Sequence, residues 1–405
     1  MQPSPSSDPV VTAIEALLAE LDAAVNAGEH VRARALAQAL LRRLAEEAAG
    51  RDAAELRVRA LMLALDAAAT GPQSFADDDG VDFPVWFGTN RRPVGAGFGA
   101  ERHHVTTLGR VFVRVPAAHR VGELGSSWWT RLRRLDLRDD RLRVERVEPR
   151  DRDAFFAELR DVAAGVRAGG EAPHALVLIP GYNNSFEDAA IRAAQIGYDL
   201  DVLGPTAFFS WPSRGKLAGY TADEAAIEAS EAAIAGFLVD FTGRCGADKV
   251  HVVAHSMGNR GFLRALQRIA ASAETRGRVK FGQIFLAAPD VDRDLFLDLA
   301  GLYREHGERT TLYASRGDLA VHLSARVHDA ARAGYLEPYT VAAGVDTVVV
   351  PDFDIDLLGH SYFAQAERLL ADLRELMRRG TPVAWREHID PLAHVAGPLW
   401  LLRPR

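Results

Sequence analysis

The spacing of apolar residues changes at about residue 80 and predicts two kinds of structure. Between residues 10 and 70, apolar side chains recur every three or four positions, which is the period of an amphipathic helix. Gly28 and Gly50 interrupt this pattern, so it predicts a small N-terminal helical bundle. Residues 1–9 are rich in Pro and Ser and are predicted to be a disordered tail, and residues 71–80 a linker.

From residue 81 to residue 405, short apolar runs alternate with amphipathic patterns, which predicts one α/β domain. Strands are predicted at 83–89, 109–116, 142–149, 175–180, 206–211, 249–256, 283–290, 309–315 and 346–353, and helices at 153–166, 186–200, 221–241, 259–271, 295–305 and 362–379. Because most of these strands are apolar throughout and helices separate them, the sheet should be mostly parallel with helices on both faces. Residues 381–400 show neither period and are predicted to be irregular.

Composition excludes several classes of function. The net charge of −7, without a basic stripe, argues against nucleic-acid binding, and the single cysteine, Cys245, excludes an intrachain disulfide. No signal peptide or transmembrane segment is recognisable, so a soluble cytoplasmic protein is expected. The Asp-rich segments 290–294 and 352–356 begin like calcium loops but have leucine where the loop needs glycine, so no metal or other cofactor is expected.

The segment VHVVAHSMGNRGF, residues 250–262, places Ser256 between a predicted strand and a predicted helix. Ala254 and Gly258 flank this serine at the spacing of a nucleophile elbow, although the first of these positions usually holds glycine. The N-terminus of the following helix would direct partial positive charge towards the serine. The pattern therefore predicts that Ser256 is a nucleophile.

A nucleophilic serine needs a general base, and three histidines lie beyond all the predicted strands. His360 comes a few residues after the last strand and is the predicted base, because a loop at that position can reach the carboxyl edge of the sheet. His388 and His394, in the segment without a predicted element, are the alternatives. His251 and His255 occupy one face of the strand before Ser256 and are interpreted as core or wall residues.

The base needs an acid to orient it, and the predicted acid is Asp318. It follows the strand at 309–315, in a loop that should leave the carboxyl end of the sheet. Asp290 and Asp292, after the preceding strand, are the alternative acids. Asp292 also suits the role of N-cap for the helix that follows it.

Two backbone amides should bind the oxyanion of an acyl-transfer intermediate. The first is Met257, directly after the nucleophile. The second is Tyr182, in the loop PGYNN after the strand at 175–180, where Gly181 permits a close backbone approach.

Several blocks, among them FGTNRRP, GYNNSFEDA, SWPS, AHSMGN, APDVD and GHSYF, together resemble a bacterial α/β-hydrolase family of otherwise undefined function. The resemblance covers residues 83 to about 375. It implies an esterase- or lipase-like serine hydrolase and supports Ser256, Asp318 and His360 by position. One departure is Pro180, since this family usually has histidine before the glycine of the oxyanion loop.

We therefore expect an α/β-hydrolase that attacks a small-molecule or lipid acyl ester through an acyl-enzyme on Ser256. An acyltransferase would use the same residues, and a non-catalytic scaffold would keep the fold and bind a partner. The N-terminal helices are the candidate surface for a protein partner or for self-association. Trp211 and the pair Trp128–Trp129 are interpreted as core aromatics rather than as walls of the acyl site.

Overall fold

The computed structural model describes residues 80–117, 119, 121, 142–214, 219–315, 330–335, 337–350 and 363–403. The predicted tail, the helical bundle and the linker up to residue 79 lie outside these residues, as does the Trp128–Trp129 pair.

Eleven strands in the described residues form one mixed sheet, and every strand predicted from the sequence is among them. They are β1 (Val81–Val94), β2 (Gly97–Val115), β3 (Arg143–Arg150), β4 (His174–Ile179), β5 (Thr206–Ser210), β6 (Lys249–His255), β7 (Phe281–Ala287), β8 (Gly307–Ser315), β9 (Val345–Val350), β10 (Ile389–Leu392) and β11 (Leu399–Leu402). Their order is β10-β11-β9-β8-β7-β6-β4-β5-β1-β2-β3. Only the β1/β2, β2/β3 and β10/β11 pairs are antiparallel, so the prediction of a mostly parallel sheet is confirmed.

Eight α-helices of the described chain cover both faces of this sheet, as predicted. They are α1 (Arg152–Ala168), α2 (Phe186–Asp199), α3 (Tyr220–Glu228), α4 (Glu231–Arg244), α5 (Gly258–Ala271), α6 (Arg293–Leu299), α7 (Gly301–His306) and α8 (Phe363–Arg379). The buried side chains of α2 and α8 pack in one core layer, and those of α1 and α3 to α7 pack in the layer on the other face. The sheet is therefore buried between two helical layers, which its apolar strands require.

The helix predicted at 221–241 is divided into α3 and α4 at Ser230. The Ser230 hydroxyl donates to the carbonyl of Ala226 at 2.7 Å and accepts from Asn90 Nδ2 at 2.9 Å. A serine that bonds back to the carbonyl four residues earlier tends to bend a helix. The helix predicted at 295–305 is likewise divided, at Ala300.

The prediction of an irregular segment at 381–400 is wrong. After a short 3₁₀ helix, residues 389–402 form the hairpin β10–β11, and β11 pairs in parallel with β9. Strands of four residues are too short to show a two-residue period in the sequence. Pro391, which usually argues against a strand, is tolerated because β10 lies at the edge of the sheet.

A buried arginine, Arg386, anchors this C-terminal hairpin to the sheet. Its guanidinium donates to Asp372 of α8 at 3.3 Å, to Thr311 of β8 at 2.9 Å and to Asp346 of β9 at 3.0 Å. Tyr313 also donates to Asp372, at 2.6 Å. Burial raises the pKa of Asp372, while Arg386 and the tyrosine oppose this shift. The paired charges therefore connect four separate elements.

His251 is a core residue, as its position on β6 suggested. Its Nδ1 accepts from the Gln283 amide at 2.9 Å, so its hydrogen lies on Nε2, which contacts His174 Nδ1 at 3.2 Å. Burial, with a smaller contribution from the neighbouring His174 and Lys249, lowers the pKa of His251 to about 3. The imidazole is therefore neutral in the folded protein at neutral pH.

Acid should destabilise the protein through this histidine. Below pH ~6.5 His251 is protonated in the unfolded state, but in the folded state it stays neutral down to about pH 3. The free energy of unfolding therefore falls as the pH falls from ~6.5 to about 3. Between pH 7 and pH 5 the free energy of unfolding should fall by about 2 kcal/mol. His251→Asn keeps an acceptor for the Gln283 amide. In urea unfolding at pH 7 and pH 5, this variant should lose correspondingly less free energy of unfolding than the wild-type protein. Equal losses in both proteins would contradict the assignment.

Candidate active site

Ser256 lies on a sharp turn between β6 and α5. Its φ of +46° is in the left-handed region, which costs a non-glycine residue roughly 1–2 kcal/mol. The surrounding backbone holds it there: its amide donates to Ala287 O at 2.9 Å, and its carbonyl accepts from the amides of Asn259 and Asp290, both at 3.1 Å. A strained strand-to-helix serine held in this way has the geometry of a nucleophile elbow.

Close packing explains why small residues flank the serine. A Cβ on Gly258 would lie 2.4 Å from Ile179 O and 2.5 Å from Pro180 O, so no side chain fits there. A Cβ on Gly181 would lie 3.1 Å from Ser256 Cβ. The elbow and the loop after β4 are thus in direct contact, and glycine is needed at Gly258.

The Ser256 hydroxyl is buried without a hydrogen-bond partner among the described residues. The residue is 2% exposed, and Oγ makes no hydrogen bond to any described residue. Buried hydroxyls are nearly always paired, because leaving one unpaired costs about 1–3 kcal/mol. Four other buried hydroxyls in the described residues, those of Thr206, Tyr303, Thr310 and Thr340, are also unpaired, so Ser256 is distinguished by its place on the strained turn.

The two predicted oxyanion residues belong to the two segments that meet at Ser256, the elbow and the loop after β4. Met257 follows it directly and precedes α5, and its amide donates to no other described residue. Tyr182 follows Gly181 in the opposing loop. The next two amides of that loop are directed elsewhere: Asn183 N donates to Asp223 at 3.2 Å, and Asn184 N donates to Ser213 Oγ at 3.1 Å.

A buried arginine that the sequence reasoning missed, Arg91, fixes the loop that carries Tyr182. It is 1% exposed and donates to Asn184 O at 2.7 Å, to Ser210 Oγ at 2.8 Å, to Ser213 O at 3.0 Å and to Gly99 O at 3.2 Å. Burial lowers its pKa to about 10, so it keeps its charge at neutral pH. The only sequence signal was its place in the block FGTNRRP.

Trp211 fixes the same loop from the core. Its side chain is fully buried, as predicted, and its indole N–H donates to Pro180 O at 2.9 Å. The proline that departs from the usual family pattern is therefore held through its carbonyl, which also lies against Gly258.

The alternative acids Asp290 and Asp292 have other partners. Asp290 is fully buried and accepts from Tyr220 OH at 2.6 Å and from Arg260 Nη2 at 3.3 Å. Asp292 caps α6, accepting from the amides of Asp294 and Leu295, as the sequence suggested.

The predicted acid and base, Asp318 and His360, lie outside the described residues, but the strands that precede them end beside Ser256. In the register of the sheet, His255 aligns with Ala287 of β7, Tyr313 of β8 and Val348 of β9. At ~4.8 Å per strand, the end of β8 is about 10 Å from β6 and the end of β9 about 14 Å. The segments that follow β8 and β9 therefore leave the sheet at the edge where Ser256 lies.

The two alternative histidines occupy distant positions. His388 precedes β10, which is five strand positions, or ~24 Å, from β6. His394 follows β10 on the amino-terminal side of the sheet, is exposed and contacts the Tyr339 ring at an interplanar angle of 57°, with ring centroids 4.4 Å apart.

In the part of the chain with described coordinates, no three His, Cys, Asp or Glu side chains are grouped so that they could hold a metal ion. None of the helices described has the length and apolar character needed to cross a membrane.

The fold agrees with the comparison to known families. Residues 164–379, more than half of the chain, match the family described as "Alpha/beta hydrolase of unknown function (DUF900)". The chain belongs to this family of α/β-hydrolases. No curated protein matches it.

Two crystal structures show weak likeness to this chain. One is an uncharacterized protein from Bacillus cereus ATCC 10987, with 12% identity and a TM-score of 0.34 over 52% of this chain; the match spans only 61% of that protein. The other is a protein from Agrobacterium vitis S4 described as a candidate hydrolase, with 13% identity and a TM-score of 0.34 over 71% of this chain and all of that one.

Proposed function

We propose that this α/β-hydrolase is a serine esterase that forms an acyl-enzyme on Ser256. The observation that carries the proposal is the Ser256 hydroxyl itself, buried and without a partner among the described residues, on a left-handed turn at the start of α5. A structural serine in such a turn would be expected to cap the helix or to bond to the backbone.

In this proposal His360 removes the proton from Ser256 as the hydroxyl attacks the acyl carbonyl, and Asp318 holds the imidazole in the required tautomer. The amides of Met257 and Tyr182 bind the oxyanion. His360 then protonates the leaving alcohol, and a water molecule activated by the same histidine hydrolyses the acyl-enzyme.

Chain lengths support this assignment of acid and base. Asp318 lies three residues beyond the end of β8, a reach of up to about 10 Å, and His360 lies ten residues beyond the end of β9, a reach of up to about 33 Å. Both reaches are sufficient for the spacing of the strands from β6. Asp290 and Asp292 are already bonded to other groups, which favours Asp318 further.

A carboxylic ester is the proposed substrate class, because a serine nucleophile and two oxyanion amides suit attack on an acyl carbonyl. The leaving alcohol needs only a proton from His360.

Labelling by a fluorophosphonate probe tests the proposal directly. The wild-type protein should be labelled at Ser256, Ser256→Ala should not, and Ser272→Ala, which changes a serine at the far end of α5, should behave as wild type. Labelled peptides identified by mass spectrometry give the site.

Absence of labelling on folded wild-type protein would favour the scaffold alternative. Labelling followed by transfer of the acyl group to an added alcohol, in preference to water, would favour the acyltransferase.

A further inference from the structure

Arg332 is a buried arginine with unused hydrogen-bond donors close to the candidate active site. The residue is 4% exposed, and neither Nε nor Nη2 has a hydrogen-bond partner among the described residues. Asp290 Oδ1 lies 3.6 Å from Nε, which is an ion pair without a hydrogen bond. A buried guanidinium with free N–H groups is costly unless another group satisfies them.

Asp290 does not satisfy Arg332 because Arg260 and Tyr220 already bind it. Arg260 donates through Nε to the Asp290 carbonyl at 2.6 Å, through Nη2 to the Asp290 carboxylate at 3.3 Å, and also pairs with Glu224. Tyr220 donates to the other carboxylate oxygen at 2.6 Å. Of the two arginines in this cluster, Arg260 therefore uses both acids, and Arg332 keeps donors for another anion.

The position of Arg332 is fixed against the loop that contacts the nucleophile. Arg332 forms a β-bridge with Asp292, and the amide of Ala333 donates to Val291 O at 2.9 Å. A Cβ on Gly334 would lie 2.3 Å from the backbone of Ala288, so the segment is pressed onto the loop after β7.

The same loop connects Arg332 to Ser256. The Asp290 amide donates to the Ser256 carbonyl at 3.1 Å, and Arg332 Nε lies 3.6 Å from the Asp290 carboxylate. With standard bond lengths, these contacts place the guanidinium within about 15 Å of the hydroxyl. An extended acyl chain of about eight carbons with a charged end group spans this distance.

We propose that Arg332 determines substrate specificity by binding an anionic group, a carboxylate or a phosphate, on the ester that Ser256 attacks. The inference rests on the proposed esterase function and names its substrate class. Arginine suits this role because its planar fork matches both carboxylate and phosphate oxygens. The rigid, buried setting of Arg332 keeps this fork oriented before the substrate binds.

Paired esters test this specificity. The p-nitrophenyl monoester of suberic acid carries a free carboxylate, whereas p-nitrophenyl octanoate has the same chain length and no charge. Wild-type protein should prefer the anionic ester in kcat/KM, and Arg332→Gln should reduce the ratio of the two values by about 10- to 100-fold. Arg332→Lys should restore part of it. Arg268→Gln, which removes an exposed arginine of α5, should leave the ratio unchanged.

Equal ratios in wild type and Arg332→Gln would overturn the inference. Labelling by a neutral fluorophosphonate separates this failure from failure of the esterase proposal, because labelled wild-type protein with an unchanged ratio refutes only the role of Arg332.

If Arg332→Gln does not fold, inhibition of the wild-type protein by anions tests the proposal. Acetate and inorganic phosphate should each slow hydrolysis of the anionic ester more than that of the neutral ester, and the more effective anion identifies the group. Equal inhibition of both esters would overturn the proposal.

Discussion

Replacing His360 with alanine should lower kcat/KM for an activated ester by about three to four orders of magnitude. Without a base, the Ser256 hydroxyl stays protonated and is a poor nucleophile. The effect should appear in kcat, because substrate binding does not require the imidazole. Steady-state hydrolysis of p-nitrophenyl esters and the rate of fluorophosphonate labelling measure it independently.

Four other histidines provide matched controls for this experiment. His388 and His394 lie in the described C-terminal hairpin region, far from Ser256, and their alanine variants should stay within about threefold of wild type. His322 and His328 lie, like Asp318, in the sequence between β8 and β9, and their variants test whether that stretch supplies the base instead. A large loss in any of these four, with His360→Ala active, would contradict the assignment.

Replacing Gly258 with alanine should damage both folding and reactivity. The new Cβ would lie within 2.5 Å of two backbone carbonyl oxygens, which cannot move without shifting the end of β4 and the oxyanion loop. We expect the free energy of unfolding to fall by about 3 kcal/mol and labelling to slow by about 100-fold, since a displacement of about 1 Å can have that effect. Urea unfolding and labelling kinetics measure the two effects.

Alanine variants of two other glycines distinguish the effect of a substitution at the elbow from the general effect of placing alanine in a helix. Gly236 is exposed on α4 with no atom within 4 Å of an added Cβ, so Gly236→Ala should stabilise the protein by about 0.5–1 kcal/mol. For a Cβ on Gly261, on α5 itself, the nearest atoms are in the Ile227 and Ile234 side chains, at 2.6–2.9 Å. Its alanine variant should lose stability but label at close to the wild-type rate. Comparable labelling defects in both α5 variants would mean that helix packing, and not the elbow, is responsible.

Local pattern was sufficient to predict the core of this fold. The strands from β4 to β9 are short apolar runs between helical periods, and the elbow at Ser256 is encoded within five consecutive residues. The sequence could therefore locate the strand-to-helix turn at Ser256 and the edge of the sheet where it lies.

Features that depend on distant contacts were missed. Arg91 reaches Asn184, and Ser230 is bonded to Asn90, across 93 and 140 residues of sequence, and neither contact leaves a periodic signal. The unused donors of Arg332 depend on which of two arginines binds Asp290. Contacts of this kind are determined by packing between elements that are distant in the sequence, so no local sequence pattern predicts them.

The contacts by which Arg386 holds the hairpin β10–β11 to the sheet have a consequence for the synthesis of the protein. A growing chain emerges in sequence order, so β9 is complete before β11 can pair with it and before Arg386 can pair with Asp372 and Asp346. Until then the outer backbone of β9 is an open strand edge, and the buried Asp372 carboxylate lacks Arg386 as its cation. The Ser256 side of the sheet can form early, but the nascent domain is most exposed to aggregation during the interval before the hairpin β10–β11 arrives.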